Sequence, residues 1–166
     1  MDSAAFKKII VPQYRQMYRI SYAIVGKHED AEDIVQEAIL KMWDKRDLLD
    51  DVKNYAGYCS TMARNLSIDF VRREKISTDE FEQEVMLVTD DRNADFGIEQ
   101  RELLQQITTI FVSLPKNLQR VMQLRVFSEC SIEEIEKITG LTNGNIRTML
   151  SRARKRMKEL FEIQNR

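Results

Sequence analysis

Apolar residues recur at helical spacing along most of this chain, and little in it could stop a helix: there are 5 glycines and 2 prolines in 166 residues. An all-β fold needs a breaker at nearly every hairpin, so the pattern predicts an all-α protein. At 43% hydrophobic residues, the chain has apolar surface enough to build a core, which a fully disordered chain lacks. No apolar run nears the ~20 residues that span a bilayer. Met1-Asp2-Ser3 opens without a basic and then apolar leader, so neither secretion nor membrane insertion is expected.

Charge divides the chain into three. The overall formal charge is −1, yet residues 1–73 carry 12 basic and 11 acidic side chains, residues 74–98 carry 2 and 8, and residues 99–166 carry 12 and 8. The segments are therefore +1, −6 and +4. The near-neutral total hides a basic C-terminal part behind an acidic linker. That linker has no sustained apolar stripe and holds Ser77, Thr78, Asp90, Asp91, Asn93 and Gly97. It reads as flexible, with a short turn around Phe81–Val88. The expected layout is two small helical domains, 1–75 and 99–166, joined by linker 76–98.

In the first domain, Phe6, Ile9, Ile10, Tyr14, Met17, Tyr18, Ala23 and Ile24 mark a helix that Pro12 interrupts and Gly26 ends. A second helix, Glu29–Asp44, has Ala31, Ile34, Val35, Ala38, Ile39, Met42 and Trp43 as its inner stripe. Asp30, Asp33, Gln36 and Glu37 lie on its other side. Such a face is either solvated and dipole-compensating or a dock for a basic partner. After the polar loop Asp47–Asn54, Asn54 is placed to cap a helix over Tyr55–Lys75. Tyr58, Met62, Leu66 and Phe70 or Val71 mark its inner side. Arg64, Asn65, Asp69, Arg72 and Arg73 are left outside, a face suited to bases or phosphates.

In the second domain, Leu103, Leu104, Ile107, Ile110 and Phe111 mark one helix. Pro115–Phe127 forms the next, burying Leu118, Val121, Met122, Leu124 and Val126. Ser131 and Glu134 then form a capping box, with Ile132, Ile135 and Ile138 facing inward. Gly140 suits a left-handed turn, and Thr142 caps a longer helix with Ile146, Met149, Leu150, Ala153 and Met157 inside. This is helix-turn-helix grammar. Between Asn143 and Lys158 there are six basic residues and no acidic one. Arg147 and Thr148 are placed to reach base edges, and Arg152, Arg154 and Lys155 phosphates.

Cys59 and Cys130 are the only cysteines and His28 the only histidine. No zinc set and no His-based nucleophile relay can be assembled, so no catalytic residue, metal or cofactor is expected. The two thiols are expected to be reduced, small core residues.

Four motifs in order, DAEDIVQEAILKMW from Asp30, the Tyr55–Arg73 helix with its MARNLSIDFVRR, Leu114-Pro115 and the helix-turn-helix ending LSRARK, closely resemble the bacterial RNA polymerase sigma factors of the extracytoplasmic-function (ECF) group. The resemblance covers essentially the whole chain. It implies that Asp33, Gln36 and Glu37 dock on the clamp coiled coil of the polymerase's largest subunit. It implies that loop Asp47–Asn54, with Lys53 and Asn54, captures a flipped base of the minus-ten element. Arg64, Asn65, Asp69, Arg72 and Arg73 would open and hold that element. Asn145, Arg147, Thr148, Ser151, Arg152, Arg154 and Lys155 would meet the minus-thirty-five element. Ile39 stands where an aromatic residue is usual, and Met149 where a second basic residue is common. The partners implied are core RNA polymerase, promoter DNA and an anti-sigma factor, for a cytoplasmic protein that is monomeric when free. Two other readings are a stand-alone helix-turn-helix regulator with an N-terminal sensing or dimerising domain, and a carboxylate-metal enzyme. The acidic docking helix and the Arg-rich helix speak against the first. The second lacks a His partner.

Overall fold

Asp2 starts the first helix by accepting a hydrogen bond from the Ala5 amide at 2.8 Å, and α1 runs over Ser3–Ile9. Pro12 forces a single 3₁₀ turn, Val11–Gln13, before α2, Tyr14–Val25. Gly26 closes α2 in the left-handed region at φ 75°, a conformation that glycine adopts without steric cost. α3 spans His28–Asp44, a 3₁₀ turn covers Arg46–Asp51, and α4 spans Tyr55–Glu74. After the linker come α5 (Ile98–Val112), α6 (Lys116–Met122), a π-helical turn (Gln123–Phe127), α7 (Ile132–Thr139) and α8 (Asn143–Gln164). This computed structural model describes residues 1–74 and 97–166, and among them there is no strand. The all-α expectation holds. The acidic linker, the turn expected around Phe81–Val88 and Lys75 at the end of α4 lie outside the described residues, apart from Gly97 and Ile98.

Several helix faces differ from the expected stripes. On α4 the buried residues are Cys59, Ala63, Ser67, Ile68 and Val71, whereas Tyr58, Met62, Leu66 and Phe70 flank the core, half-buried. α4 packs chiefly on α2 and also on α3, and small residues on an inner face let helix axes approach closely. Ser67 is tolerated there because its hydroxyl donates to the Ala63 carbonyl at 2.7 Å, which satisfies the buried polar atom. On α5 only Ile110 and Phe111 are buried, while Leu103 is 44% exposed. Val126, expected inside, is 52% exposed because the helix does not continue regularly to Phe127. The π turn widens the backbone there and rotates the following residues away from the α-helical register. Pro115 precedes α6 instead of lying in its first turn.

The two halves pack on each other. The π turn lies against α2 and α7 against α4. Ser128, fully buried, donates through Oγ to the Ile20 carbonyl at 3.3 Å. The Arg120 guanidinium donates to the carbonyls of Ala23 and Ile24 at the end of α2. Just before Cys130, Glu129 is the one described non-glycine residue at positive φ, 53°. Hydrogen bonds from the Cys130 amide to Leu124 (3.0 Å) and from Arg125 Nη1 to the Cys130 carbonyl (2.9 Å) hold that turn.

Because Ala63 is fully buried on the inner face of α4, Ala63→Leu should overpack the core there. The expected loss is about 1–3 kcal/mol of folding free energy, read as a lower urea midpoint with unchanged slope.

Candidate functional site

On α3 the apolar stripe Ala31, Ile34, Val35, Ala38 and Met42 is buried, which leaves Asp33, Gln36 and Glu37 exposed on the opposite side. Residues three and four apart share a helix face, so the three form one patch. Leu40 extends it and is 63% exposed. It is an apolar residue outside the inner stripe, and that misplacement is the sequence signal by which it could have been found. Glu37 is not a free carboxylate, because Lys41 Nζ lies 2.8 Å from its Oε1. Ile39 packs half-buried against the core, so its departure from the family's aromatic residue falls on packing and not on this patch.

Between α3 and α4 lies an open cleft of about 480 Å³, lined by Glu37, Lys41, Leu66, Asp69, Arg72 and Arg73. It brings the end of the α3 patch next to the outer face of α4. Asn65, Asp69, Arg72 and Arg73 are all exposed and continue one stripe at three- and four-residue spacing. Arg64 does not join them. Its side chain is 16% exposed, its Nη1 donates to the Ser128 carbonyl at 3.3 Å, and its Nε lies 3.9 Å from Glu134 Oε2. The guanidinium faces the C-terminal half.

The loop before α4 is anchored by Leu49, 1% exposed, while Lys53 and Asn54 face solvent. Asn54 also has a structural task, since its Oδ1 accepts from the Gly57 amide at 2.9 Å and so caps α4. Gly57 permits this, because a Cβ there would meet Asn54 Nδ2 at 2.9 Å.

The C-terminal site rests on two capped helices and a left-handed turn. Ser131 Oγ accepts from the Glu134 amide at 3.1 Å and Glu134 Oε2 accepts from the Ser131 amide at 2.9 Å. Gly140 turns the chain at φ 73°, and Thr142 Oγ1 accepts from the Asn145 amide at 3.2 Å. Ile146, Leu150 and Ala153 lock α8 to the core, with Met149 and Met157 half-buried beside them. Asn145, Arg147, Thr148, Ser151, Arg152, Arg154 and Lys155 are all exposed. Met149 sits on the packing side, so it leaves the exposed face intact. Arg147 Nε donates to Asn143 Oδ1 at 2.7 Å, and Thr148 Oγ1 donates to the Gly144 carbonyl at 2.9 Å.

This arrangement is an acidic patch on one helix, a basic-polar stripe on the next, and a capped helix-turn-helix with a basic outer face. Residues 10–76 match the family model for sigma-70 region 2, and residues 104–157 the model for sigma-70 region 4. The chain belongs to the sigma-70 family, in its ECF group. It is a promoter-recognising sigma factor. It is similar to the ECF RNA polymerase sigma factor SigW of Bacillus subtilis, 25% identical over 95% of this chain and 89% of that one. It is also similar to the RNA polymerase sigma factor SigV of the same organism, 27% identical over 90% of this chain and 86% of that one. Among solved structures it is similar to the sigma factor RpoE of Bartonella quintana, solved in complex with the anti-sigma factor NepR. That match is 24% identical, covers 96% of this chain and 98% of that one, and has a TM-score of 0.48.

Of the remaining chemistry-bearing groups of this sigma factor, His28 is half-buried and the two thiols are buried. His28 stacks on Tyr22 with ring centroids 4.6 Å apart, and its Nδ1 is hydrogen-bonded to the Tyr18 hydroxyl. Among the described residues no three His, Cys, Asp or Glu side chains converge as a metal site, and no helix is long and apolar enough to cross a membrane. Cys59 and Cys130 are free and buried. Burial pushes the Cys59 thiol up to about 11 and the Cys130 thiol up to about 12, so both are protonated at neutral pH. The thiolate is the reactive form, so at pH 8 a maleimide or aromatic disulfide should label neither thiol in the folded protein and both in urea. Folding should also weaken as pH rises past about 9, the ordinary thiol value, because the unfolded thiols ionise first.

Proposed function

We propose that this sigma factor binds core RNA polymerase through Asp33, Gln36 and Glu37, with Leu40 as an apolar contact in the same patch. The loop with Lys53 and Asn54 and the stripe Asn65, Asp69, Arg72 and Arg73 then engage the minus-ten element. The face Asn145, Arg147, Thr148, Ser151, Arg152, Arg154 and Lys155 engages the minus-thirty-five element. Arg64 joins the minus-ten group only when it leaves its contacts with Ser128 and Glu134. The observation that carries this reading is the continuity of the α3 patch and the α4 stripe across one cleft. A protein docked on the polymerase through α3 would thereby hold α4 beside the melting DNA.

The protein makes and breaks no covalent bond in this reading. Its work is binding and positioning. Extracting a base from the stack costs a few kcal/mol, and capture of the single strand must offset that cost. Two weak readers joined to one enzyme gain in effective concentration, so the isolated chain binds a promoter weakly and the chain with core binds it tightly. It acts in the cytoplasm, as a monomer when free, and an anti-sigma factor holds it inactive. No specific observation favours the stand-alone regulator.

The direct test is in vitro transcription with core polymerase over a genomic DNA library. Promoter-specific initiation is expected, with only weak mobility shift by the chain alone. Tight, specific promoter binding without core would overturn it. Asp33→Lys should abolish core binding and transcription while circular dichroism stays unchanged, since the side chain is exposed. Arg147→Ala should cost about 1–3 kcal/mol at a single position of the minus-thirty-five element, read by competition with singly substituted promoters.

A further inference from the structure

The cleft between α3 and α4 is where the two proposed surfaces of the N-terminal half meet. It holds three cations, Lys41, Arg72 and Arg73, against two carboxylates, Glu37 and Asp69, with Leu66 as its apolar residue. Arg72 and Arg73 belong to the α4 stripe and Glu37 to the α3 patch, while Lys41 has no part in either. Its ammonium lies 2.8 Å from Glu37 Oε1, one helical turn away, and the two side chains are 49% and 46% exposed. The pair is therefore solvated, and its partners are open to exchange.

An exposed ion pair at this spacing on a helix changes an equilibrium by only about twofold. Exposed side chains change rotamer within nanoseconds. Lysine carries its charge as a point on a flexible stem, with no plane to align. Lys41 can therefore exchange Glu37 for another anion at little cost, and the cleft gives that anion a place beside Arg72 and Arg73. With Glu37 present the cleft has one positive charge in excess, and with Glu37 taken by an outside cation it has two. A DNA backbone phosphate suits such a seat, because its oxygens accept charge-assisted hydrogen bonds from several basic side chains at once. The α4 stripe that ends in Arg72 and Arg73 leads the strand to it.

We propose that Lys41 is a DNA-binding residue shared between two anions: it pairs with Glu37 in the free protein and with a backbone phosphate of the opened minus-ten element, held in the cleft with Arg72 and Arg73, when a cation of the polymerase takes Glu37. The proposal rests on the docking and minus-ten assignments of α3 and α4. Linkage makes the exchange reciprocal. A phosphate that draws Lys41 away leaves Glu37 open to the polymerase, so each partner favours the other through one side chain and without a change of fold.

Salt dependence counts the phosphates that a protein neutralises, each adding about 0.7 to the slope of log K against log salt on single-stranded DNA. The probe is a labelled promoter fragment, chosen by in vitro transcription and held open by mismatches over its minus-ten element. Its binding to the core complex is followed by fluorescence anisotropy across a salt series, and core binding by the chain is measured without DNA. Lys41→Met should move the two partners in opposite directions. The complex should hold the probe with a slope smaller by about 0.7, while core is bound about twofold more tightly because Glu37 has lost its competing partner. Lys41→Arg should restore the slope. An unchanged slope in Lys41→Met would overturn the proposal, and is the result for a lysine that only complements the C-terminal end of the α3 dipole. Core binding that is unchanged or weaker in Lys41→Met would overturn the exchange with Glu37. Arg72→Met separates this proposal from the assignment beneath it. If Arg72→Met lowers the slope and Lys41→Met does not, the minus-ten assignment stands and the shared lysine falls. If neither lowers it, the assignment of α4 fails and the phosphate seat with it.

Discussion

Two helices lie close only where the residues between them are small, and the small buried residues of α4, Cys59, Ala63 and Ser67, on a helix that packs on α2 and α3, set the rest of the N-terminal half. Once that narrow strip is turned inward, Tyr58, Met62, Leu66 and Phe70 fall on its flanks and complete the core as half-buried residues. The polar side at Asn65, Asp69, Arg72 and Arg73 is then directed outward beside α3. The stripe proposed to face DNA is therefore aimed by buried residues. The Asn54 cap fixes where α4 begins and so fixes the angular position of every residue after it.

Charge is arranged by function and not by balance. The α3 patch is acidic, the outer face of α8 is basic, and the linker carries −6. A protein with an even mixture of the same residues would have the same net charge of −1 and neither surface. Long-range attraction to a polyanion depends on local clustering and is weakened by a nearby acidic segment. Overall charge is thus a poor guide to partners when a chain alternates signs over tens of residues.

Most of the helices were legible because their ends are written in side chains with a single structural use: Pro12, Gly26, Asn54, the Ser131–Glu134 box, Gly140 and Thr142. The inner face of α4 was not, because hydrophobicity points to the large residues, while close packing selects the small ones. A serine at the centre of that face reads as surface until its hydrogen bond to Ala63 is seen. The π turn was illegible for a different reason. Its sequence, QLRVF, is ordinary helical sequence, and nothing local in it marks the wider turn that lies against α2. Helical spacing alone puts Arg64 on the solvent-facing side of α4. Nothing local in the sequence announces that a carbonyl and a carboxylate from residues 128 and 134 will meet it.

Arg147 is tied to Asn143 within the first turn of α8, a link that matters beyond its own strength. A long side chain held by one hydrogen bond has already given up rotamer freedom before it meets a base. In the proposed reading, the discrimination made by this arginine is then set partly by the residue that steers it. On that reading promoter preference is adjustable from a position that need not contact DNA, and evolution can retune which promoters are served while leaving every proposed DNA-contacting side chain as it is.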